Sequence, residues 1–482
     1  MDENNNNNNS DSQADNNKSA DDKKMSRRSA LKYLGIGAVG VAAVYCGVKF
    51  TPLGEKADLE KSTLLSVIKR KDKVSDAQIS LLGFGNMRLP ILDENDKGSI
   101  NEPLALDMID YAYKNGVNYF DTAWFYHKGM SEPFVGKALK RYPRESFYLA
   151  TKMPTPAILG TDPNGLVKST DPLERTKEIF ALQLQRCQVE YIDFFFLHSL
   201  RSLAQFTESY KDTGGLEYLI SEKSNGRIKR LGFSFHGPAE EFPALADQYK
   251  WDFCMIQNNY YDWSIDGKFL YDELNKRGIQ AIYMEPVRGG MLATLTPQAC
   301  KVFTDAAPDM SVASWAIRWC ASLPNTLNVL SGMSTMEQVV DNVKTMSDFK
   351  ELSEQDRKVI ETALAAYNKT SPIPCTYCDY CVSPPCPAGI HIAEVFRVHN
   401  ECITEGNLPN LDDLRNSSRD KKEFERSRRI YLGKMNKIPA KQQAVKCTFC
   451  RECLPKCPQD IEIADKMQEI STLIKELEAY HA

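Results

Sequence analysis

The chain has 482 residues, a formal net charge of −4 and 42% apolar residues. A chain of this length and apolar content can bury a large core and has room for more than one domain. Its small negative charge provides no positive field of the kind that nucleic-acid binding needs, so no nucleic-acid partner is expected. The composition indicates a folded multidomain protein whose chemistry must be sought in local motifs.

The first 60 residues differ in composition from the rest of the chain. Residues 1–24 contain an Asn run and many charges but almost no apolar side chains, which predicts a disordered tail. Residues 25–60 place Arg27 and Arg28 before a Gly/Ala-rich apolar stretch at 33–50. This arrangement resembles a twin-arginine export signal, with an ordinary helix start as the alternative. It implies a periplasmic protein, or one with an N-terminal membrane anchor that holds it on the outer face of the cytoplasmic membrane.

Short β-rich runs alternate with amphipathic helical runs over residues 75–350. The predicted strands are 79–83, 117–122, 147–152, 191–198, 228–235, 253–257, 280–285 and 327–331. The predicted helices are 102–115, 132–141, 172–187, 215–223, 239–249, 268–277, 311–322 and 335–346. Eight such units match a closed (β/α)8 TIM barrel. An open doubly wound sheet is the alternative, but no G-x-G-x-x-G turn follows the first strand.

Polar side chains stand where three successive predicted strands end. Asp121 ends the second strand, Lys152 the third and His198 the fourth, and Tyr126 follows in the loop after Asp121. Barrel active sites lie at the C-terminal ends of the strands, so we expect these four side chains above one barrel mouth. Singly, each has a structural explanation, such as a buried Asp–Lys pair or a hydrogen-bonded core histidine. Together they predict a site for acid–base chemistry.

These residues occur within a longer ordered pattern. The pattern comprises Asp121-Thr122-Ala123, Tyr126, Gly129-x-Ser131-Glu132, Gly136-Lys137-Ala138-Leu139, Thr151-Lys152, Asp193 with His198, and Gly232-Phe233-Ser234. It resembles the aldo/keto reductase family over roughly residues 75–350. The resemblance implies hydride transfer between NAD(P)H and a small carbonyl or alcohol substrate. Tyr126 would be the general acid or base, Lys152 held by Asp121 would lower the pKa of the phenol, and His198 would orient the substrate oxygen.

The same resemblance implies a set of cofactor-binding residues. They are Ser234, Gln257, Gly332, Ser334, Gln338 and Asn342. Ser334 and Glu337 also have the spacing of a capping box, so a simple helix cap is the alternative for that segment. No Lys or Arg lies in 332–338, and Met284 and Phe235 replace the aromatic ring and the Asn of many relatives. We therefore expect altered or weak NAD(P)H binding.

Eight of the 14 cysteines fall into two groups near the C-terminus. Their spacing is Cys375-x2-Cys378-x2-Cys381-x4-Cys386-Pro387 and Cys447-x2-Cys450-x2-Cys453-x3-Cys457-Pro458. Three thiolates at this interval are typical of a [4Fe-4S] cluster, and in two-cluster ferredoxins the fourth thiolate comes from the other motif. This predicts one cluster on Cys375, Cys378, Cys381 and Cys457 and a second on Cys447, Cys450, Cys453 and Cys386. A zinc site and disulfide bonds are the alternatives, but neither has a use for a third cysteine at the same three-residue interval.

The cysteine motifs define a C-terminal domain at 366–482, predicted to be mainly helical and ferredoxin-like, with helices at 392–405 and 421–432. Export by the twin-arginine route moves folded proteins, which suits clusters inserted before translocation. The leading hypothesis is an oxidoreductase whose two [4Fe-4S] clusters exchange electrons with a redox partner protein or a quinone. In a second version the clusters are structural only. A cofactor-free barrel acting as the scaffold of an exported iron–sulfur electron carrier is the alternative from another class.

Overall fold

A computed structural model describes residues 64–160, 162–368, 372–383, 385–409 and 418–480. The predicted tail at 1–24 and the predicted export segment at 25–60 lie outside these residues. Among the helices in the described ranges, none combines the length and apolarity that a bilayer crossing requires.

Eight parallel strands within the described residues close into a barrel, which confirms the predicted (β/α)8 architecture. The first strand pairs with both the second and the eighth, which closes the ring. In chain order the strands are β1 (Leu82–Gly85), β2 (Tyr119–Asp121), β3 (Tyr148–Met153), β4 (Ile192–Leu200), β5 (Ile228–Phe235), β6 (Phe253–Gln257), β7 (Gln280–Met284) and β8 (Thr326–Gly332). Apolar side chains from these strands, including Tyr119, Phe194, Phe253 and Leu327, fill the interior. The barrel is therefore a packed core rather than a pore.

The first barrel strand was predicted three residues too early, at 79–83. Gln78–Ser80 instead pairs antiparallel with Lys69–Lys71, outside the barrel ring. Ser80 ends this pairing because its N–H donates to Asn118 Oδ1 at 2.7 Å and its hydroxyl donates to the Leu82 carbonyl at 2.7 Å. The apolar run from Ile79 to Phe84 concealed this break, because both sides of it are buried.

Helices on the outside of the barrel follow most of the predicted ranges. They are Glu102–Lys114, Ser131–Leu139, Thr155–Leu159, Pro172–Cys187, Leu203–Phe206, Gly215–Ser224, Phe242–Ala246, Gly267–Arg277, Pro297–Ala306, Val312–Ala321, Met336–Ser347 and Glu354–Asn368. The helix predicted at 239–249 is wrong in extent: a 3-10 turn at Ala239–Glu241 precedes a five-residue helix. Pro243 lacks an N–H donor and is accommodated near the start of a helix, so it begins a new one.

Among the elements that the sequence patterns did not reveal, a hairpin and a helix extend the barrel. A hairpin of Ile91–Asp93 and Asp96–Ile100 follows β1. The helix Glu354–Asn368 buries Ile360, Ala363 and Tyr367 in the same apolar cluster as the barrel helices. The barrel core thus continues past residue 350.

The residues after 372 have a second apolar core of their own. In the described part of this segment the helices are Ile392–Thr404, Ser418–Met435 and Ile463–Ala479. They pack through Val395, Phe396, Phe424, Tyr431 and Met467, among others. The two cysteine groups lie in the connections that precede the first and third of these helices. We call residues 372–480 the cysteine module.

Candidate active site

A buried ion pair joins the ends of β2 and β3. Lys152 Nζ donates to Asp121 Oδ1 at 2.5 Å and to the Thr122 carbonyl at 2.8 Å. Both side chains are only 1% exposed. Burial lowers the pKa of Lys152 and raises that of Asp121, and the ion pair opposes both shifts. The two groups therefore hold each other in place away from solvent.

Tyr126 and His198 meet this ion pair at the barrel mouth. Lys152 Nζ lies 4.8 Å from the centroid of the Tyr126 ring. The rings of Tyr126 and His198 are 6.1 Å apart between centroids and nearly perpendicular, at 82°. The structure thus brings together all four side chains of the predicted catalytic set, from three strands and one loop.

The turn that carries Tyr126 is held by a residue that the sequence patterns did not single out. His127 and the following lysine have positive φ angles of 52° and 53°, which are uncommon for non-glycine residues. Nδ1 of His127 lies 2.7 Å from the Lys97 carbonyl, and Leu89 N–H donates to Nε2 at 3.2 Å. This pairing requires a neutral imidazole protonated on Nδ1, and burial lowers the pKa of His127 accordingly. Lys97 belongs to the hairpin after β1, so that hairpin fixes the position of Tyr126.

The electrostatics of Tyr126 differ from the prediction. Burial raises the pKa of the phenol well above its ordinary value, and the carboxylates of Asp121 and Glu285 add to this effect while Arg88 opposes it. The expected lowering by Lys152 was wrong for this arrangement, because desolvation and two nearby negative charges dominate. Tyr126 is therefore a protonated phenol across the physiological range.

The imidazoles at the mouth are neutral. Burial lowers the pKa of His198 well below its ordinary value, and the positive charge of Lys152 adds to the effect. His236, directly after β5, has its pKa lowered to about 4 by burial and by Arg201 and Lys152. A neutral imidazole can donate one hydrogen bond and accept another, so His198 can orient a polar oxygen without adding charge.

The predicted cofactor residues lie at the same end of the barrel, but most already bind protein groups. Ser234 Oγ accepts from Ser199 N–H at 2.8 Å, and Asn342 Nδ2 donates to Ser331 Oγ at 3.0 Å. Ser334 Oγ donates to the carbonyl of Arg88 at 2.7 Å. Ser234 lies in β5, whereas Ser334 and Asn342 follow β8, and β6 and β7 separate these two strands in the barrel.

The predicted capping box is displaced by one residue. Thr335, not Ser334, is the N-cap of Met336–Ser347, and its side chain accepts from Gln338 N–H. Gln338 Oε1 in turn accepts from Ser334 N–H at 2.7 Å. Gly332, the last residue of β8, lies under the Arg88 side chain, whose carbons would be 3.3 Å from an added Cβ. Residues 332–338 therefore cap the helix Met336–Ser347 and support the side chain of Arg88.

The last predicted cofactor residue, Gln257, binds the cysteine module. Its Nε2 donates to Asp262 Oδ2 and to Gln459 Oε1, both at 2.8 Å. Gln459 Nε2 donates back to Gln257 Oε1 at 2.6 Å. The two amides thus form a reciprocal pair between the end of β6 and the loop after Cys457.

Glu285 and Arg88 are mouth residues that the sequence analysis missed. Glu285 directly follows β7, and the predicted residues lie in the last residues of β2, β3 and β4, so the rule that barrel chemistry lies at strand C-termini could have found it. Burial raises its pKa, and Arg88 opposes the shift. Arg88 Nη2 lies 3.8 Å from Glu285 Oε1 and donates to the Thr376 carbonyl at 2.8 Å. Thr376 lies inside the first cysteine motif.

Further contacts hold this motif over the barrel mouth. Arg288 donates to the Pro374 carbonyl at 2.7 Å, and Lys97 pairs with Asp379. The backbones of Gly289 and Thr376 approach so closely that a Cβ on the glycine would lie 2.2 Å from the Thr376 carbonyl oxygen. The ring of Tyr380 lies 6.0 Å from that of His236, edge-on at 75°. The loop at 374–380 therefore covers the mouth on the side of β1, β5 and β7.

The eight motif cysteines line two recesses in the module. One recess is lined by Cys375, Cys378, Cys381 and Cys457, together with Pro458 and Gln459. The other is lined by Cys386, Cys447, Cys450 and Cys453, with Cys381 at its edge. None of the eight forms a disulfide. Across the described ranges, no three His, Cys, Asp or Glu side chains converge closely enough to hold a single metal ion.

Comparisons with known proteins place the barrel in a family. Residues 81–365 match the aldo/keto reductase family. L-galactose dehydrogenase of Arabidopsis thaliana is 25% identical over 308 residues, which cover 57% of this chain and 86% of that protein. NADH-specific methylglyoxal reductase of Escherichia coli is 25% identical over 282 residues, covering 52% and 85% respectively. Probable aldo-keto reductase 1 of Glycine max is 33% identical over 167 residues, only 43% of its own length.

Part of the chain is also similar to solved structures of aldo-keto reductases. The holo form of aldo-keto reductase AKR11C1 from Bacillus halodurans covers 62% of this chain and 96% of its own, with 24% identity and a TM-score of 0.47. An aldo-keto reductase from Klebsiella pneumoniae in complex with NADPH covers 63% and 96%, with 16% identity and a TM-score of 0.46. The family match extends over more than half of the chain and coincides with the closed barrel and the polar cluster at its mouth. The chain belongs to the aldo/keto reductase family and is an oxidoreductase of that type.

Proposed function

We propose that the protein interconverts a small carbonyl compound and its alcohol at the barrel mouth, with NAD(P)H as the hydride donor. The observation that carries this proposal is the meeting of Tyr126, Lys152, Asp121 and His198 at the ends of β2, β3 and β4. Among the relatives, one is named an NADH-specific methylglyoxal reductase and another an L-galactose dehydrogenase, which supports small carbonyl and alcohol substrates.

The side chains have separate tasks in carbonyl reduction. NAD(P)H, when bound, supplies the hydride to the carbonyl carbon. Tyr126 donates its proton to the carbonyl oxygen. Lys152, whose Nζ lies 4.8 Å from the centroid of the Tyr126 ring, offsets part of the negative charge left on the phenolate, although burial still keeps the pKa of the phenol raised. Asp121 keeps the ammonium in place, and neutral His198 orients the carbonyl oxygen by a hydrogen bond. In alcohol oxidation the proton moves in the opposite direction.

We propose further that the module binds two [4Fe-4S] clusters. The support is that the two recesses are lined by the same two cysteine sets that the motif spacing assigns, each with its fourth thiolate from the other motif. In a [4Fe-4S] cluster each of the four thiolates binds a different iron. Cysteines spaced around a recess therefore suit a cluster better than a single metal ion, which would need all of its ligands to converge on one point. When bound, such clusters supply one-electron transfer, here with a redox partner protein or a quinone. Export by the twin-arginine route completes the proposal, with the signal either removed or kept as an anchor on the outer face of the cytoplasmic membrane.

A cofactor-free barrel that supports an iron–sulfur carrier is the second candidate. It is favoured by the Gln257–Gln459 pair, because the module here occupies an amide that the dinucleotide was expected to use.

Two measurements on anaerobically purified protein test these proposals. Iron and acid-labile sulfide should each reach about eight atoms per chain, and a colourless zinc protein would overturn the cluster assignment. Titration with NADH and NADPH should show binding of at least one. Failure of both to bind, in a protein with reducible clusters, would favour the scaffold.

The export proposal has its own test. Replacing Arg27 and Arg28 together by lysine keeps the charge but removes the guanidinium pair. We expect the folded protein to stay in the cytoplasmic fraction, and unchanged export would reject the signal.

A further inference from the structure

Gln459 lies at a junction between the two parts of the molecule. Its amide pairs with Gln257 at the end of β6, with distances of 2.8 and 2.6 Å. It also lines the recess of Cys375, Cys378, Cys381 and Cys457. One side chain therefore contacts both a predicted cofactor residue of the barrel and the wall of the proposed first cluster site.

The hydrogen-bonding capacity of Gln257 is almost fully used in this arrangement. An amide nitrogen has two hydrogens, and those of Gln257 go to Asp262 and Gln459. Asp262 is itself held by Arg288 at 2.7 Å and by Asn259 at 2.7 Å. Gln257 cannot turn toward a new partner without losing bonds that are partly shielded from water, and such unmade bonds are costly.

The loop of the first cysteine motif, which lines the same recess as Gln459, is anchored to the barrel. Arg88 donates to the Thr376 carbonyl in this motif at 2.8 Å, and Arg288 donates to the Pro374 carbonyl just before it at 2.7 Å. Arg88 also covers Gly332, another predicted cofactor residue, at the end of β8. The docked module thus contacts the predicted cofactor residues at two separate places, directly at Gln257 and through Arg88 at Gly332.

We propose that Gln459 is a positioning residue that competes with NAD(P)H for the amide of Gln257. Cofactor binding then requires the Gln257–Gln459 pair to open, and the docked module weakens the apparent affinity of the barrel. This inference rests on the proposed NAD(P)H site. Only molecules with a free Gln257 amide can bind NAD(P)H. The apparent Kd is therefore the intrinsic Kd divided by the fraction of such molecules, so it rises when the Gln257–Gln459 pair is closed.

The test compares Gln459→Ala with wild type and with Gln468→Ala, an exposed glutamine on Ile463–Ala479. NADH and NADPH are titrated into the full-length, cluster-loaded protein, and nicotinamide fluorescence reports binding. Because the substitution removes two competing amide hydrogen bonds, we expect Gln459→Ala to lower the Kd about tenfold. Gln468→Ala should leave it unchanged. Gln459→Glu keeps one acceptor and loses the donor, so its Kd should fall by a smaller factor.

The outcomes separate this inference from the proposed function. If wild type binds NAD(P)H and Gln459→Ala binds with equal or lower affinity, competition is rejected while the cofactor proposal stands. If no variant binds either dinucleotide, the cofactor site and the inference both fail. Iron content and the thermal unfolding midpoint of each variant check that the module remains intact, and Gln459→Glu provides the comparison if the alanine variant does not fold.

Discussion

Lys152 and Asp121 form an ion pair of 2.5 Å in which each side chain is 1% exposed. Removing one partner of a buried pair strands the other charge and costs about 3–5 kcal/mol. We expect Lys152→Met and Asp121→Asn each to lower the free energy of unfolding by roughly this amount, measured by urea denaturation. Lys268→Met, which breaks an exposed pair with Asp272, should change it by less than about 1 kcal/mol. Similar losses at both sites would contradict this account.

Tyr126 is expected to be the proton donor. Tyr126→Phe should reduce carbonyl reduction by at least about a hundredfold, the range that general acids contribute, while iron content stays constant. Tyr191→Phe, next to the opposite end of β4, is the matched control and should retain activity. Turnover of Tyr126→Phe near the wild-type rate would show that another group supplies the proton.

The pH dependence of the rate should reflect the raised pKa of Tyr126. Carbonyl reduction needs the protonated phenol, so its rate should not decline until the pH exceeds the ordinary phenol value of about 10. Alcohol oxidation needs the phenolate and should rise with pH over the whole accessible range. Because the pKa of His198 is well below its ordinary value, no inflection from this histidine is expected between pH 5 and 8. An inflection near 6.5 that disappears in His198→Gln would contradict the neutral imidazole.

Stability should fall in mild acid because of His236 and His399. Burial lowers the pKa of each to about 4, whereas the unfolded chain titrates near 6.5. Between these values the unfolded state binds more protons, so the free energy of unfolding declines as the pH falls from about 6.5 to 4. The slope is at most about 1.4 kcal/mol per pH unit for each histidine. His236→Asn should reduce that slope, and an unchanged slope would assign the proton uptake to other groups.

Gly136 marks a close helix–helix contact. A Cβ at this position would lie 2.7 Å from the carbonyl oxygens of Arg186 and Cys187, which are backbone atoms and cannot move aside. Gly136→Ala should therefore destabilise the protein by about 1–3 kcal/mol. Gly433 lies exposed in a helix with nothing near its Cβ position, so Gly433→Ala should stabilise by about 0.5–1 kcal/mol. Thermal unfolding distinguishes the two, and a stabilising Gly136→Ala would contradict the close helix–helix contact.

The barrel and its catalytic cluster were predictable because they depend on local patterns. The strand Ile228–Phe235 has the predicted bounds, and Asp121, Lys152 and His198 follow from the rule that barrel chemistry lies at strand C-termini. The helix cap at Thr335 was misassigned by one residue because Ser334 offers the same side-chain chemistry. Both residues have a hydroxyl, and only the backbone angles decide which one caps.

The contacts between the module and the barrel could not be predicted in this way. Gln257 and Gln459 are 202 residues apart in the chain, and Arg88 and Thr376 are 288 apart. No periodicity or spacing connects such positions. The raised pKa of Tyr126 has the same origin, since Glu285 comes from β7 and the degree of burial depends on how the whole mouth is covered.

The backbones of Gly289 and Thr376 are so close that a single added methyl group, as in alanine, would not fit between them. Gly289 has a φ of 66°, and its backbone contacts the loop of the first cysteine motif. Any larger residue would therefore push this loop away from the barrel. The positive φ already favours glycine at this position, and the contact with Thr376 adds a second, independent constraint. Gly289→Ala would therefore both strain this barrel loop and push the first cysteine loop away from the mouth that it covers.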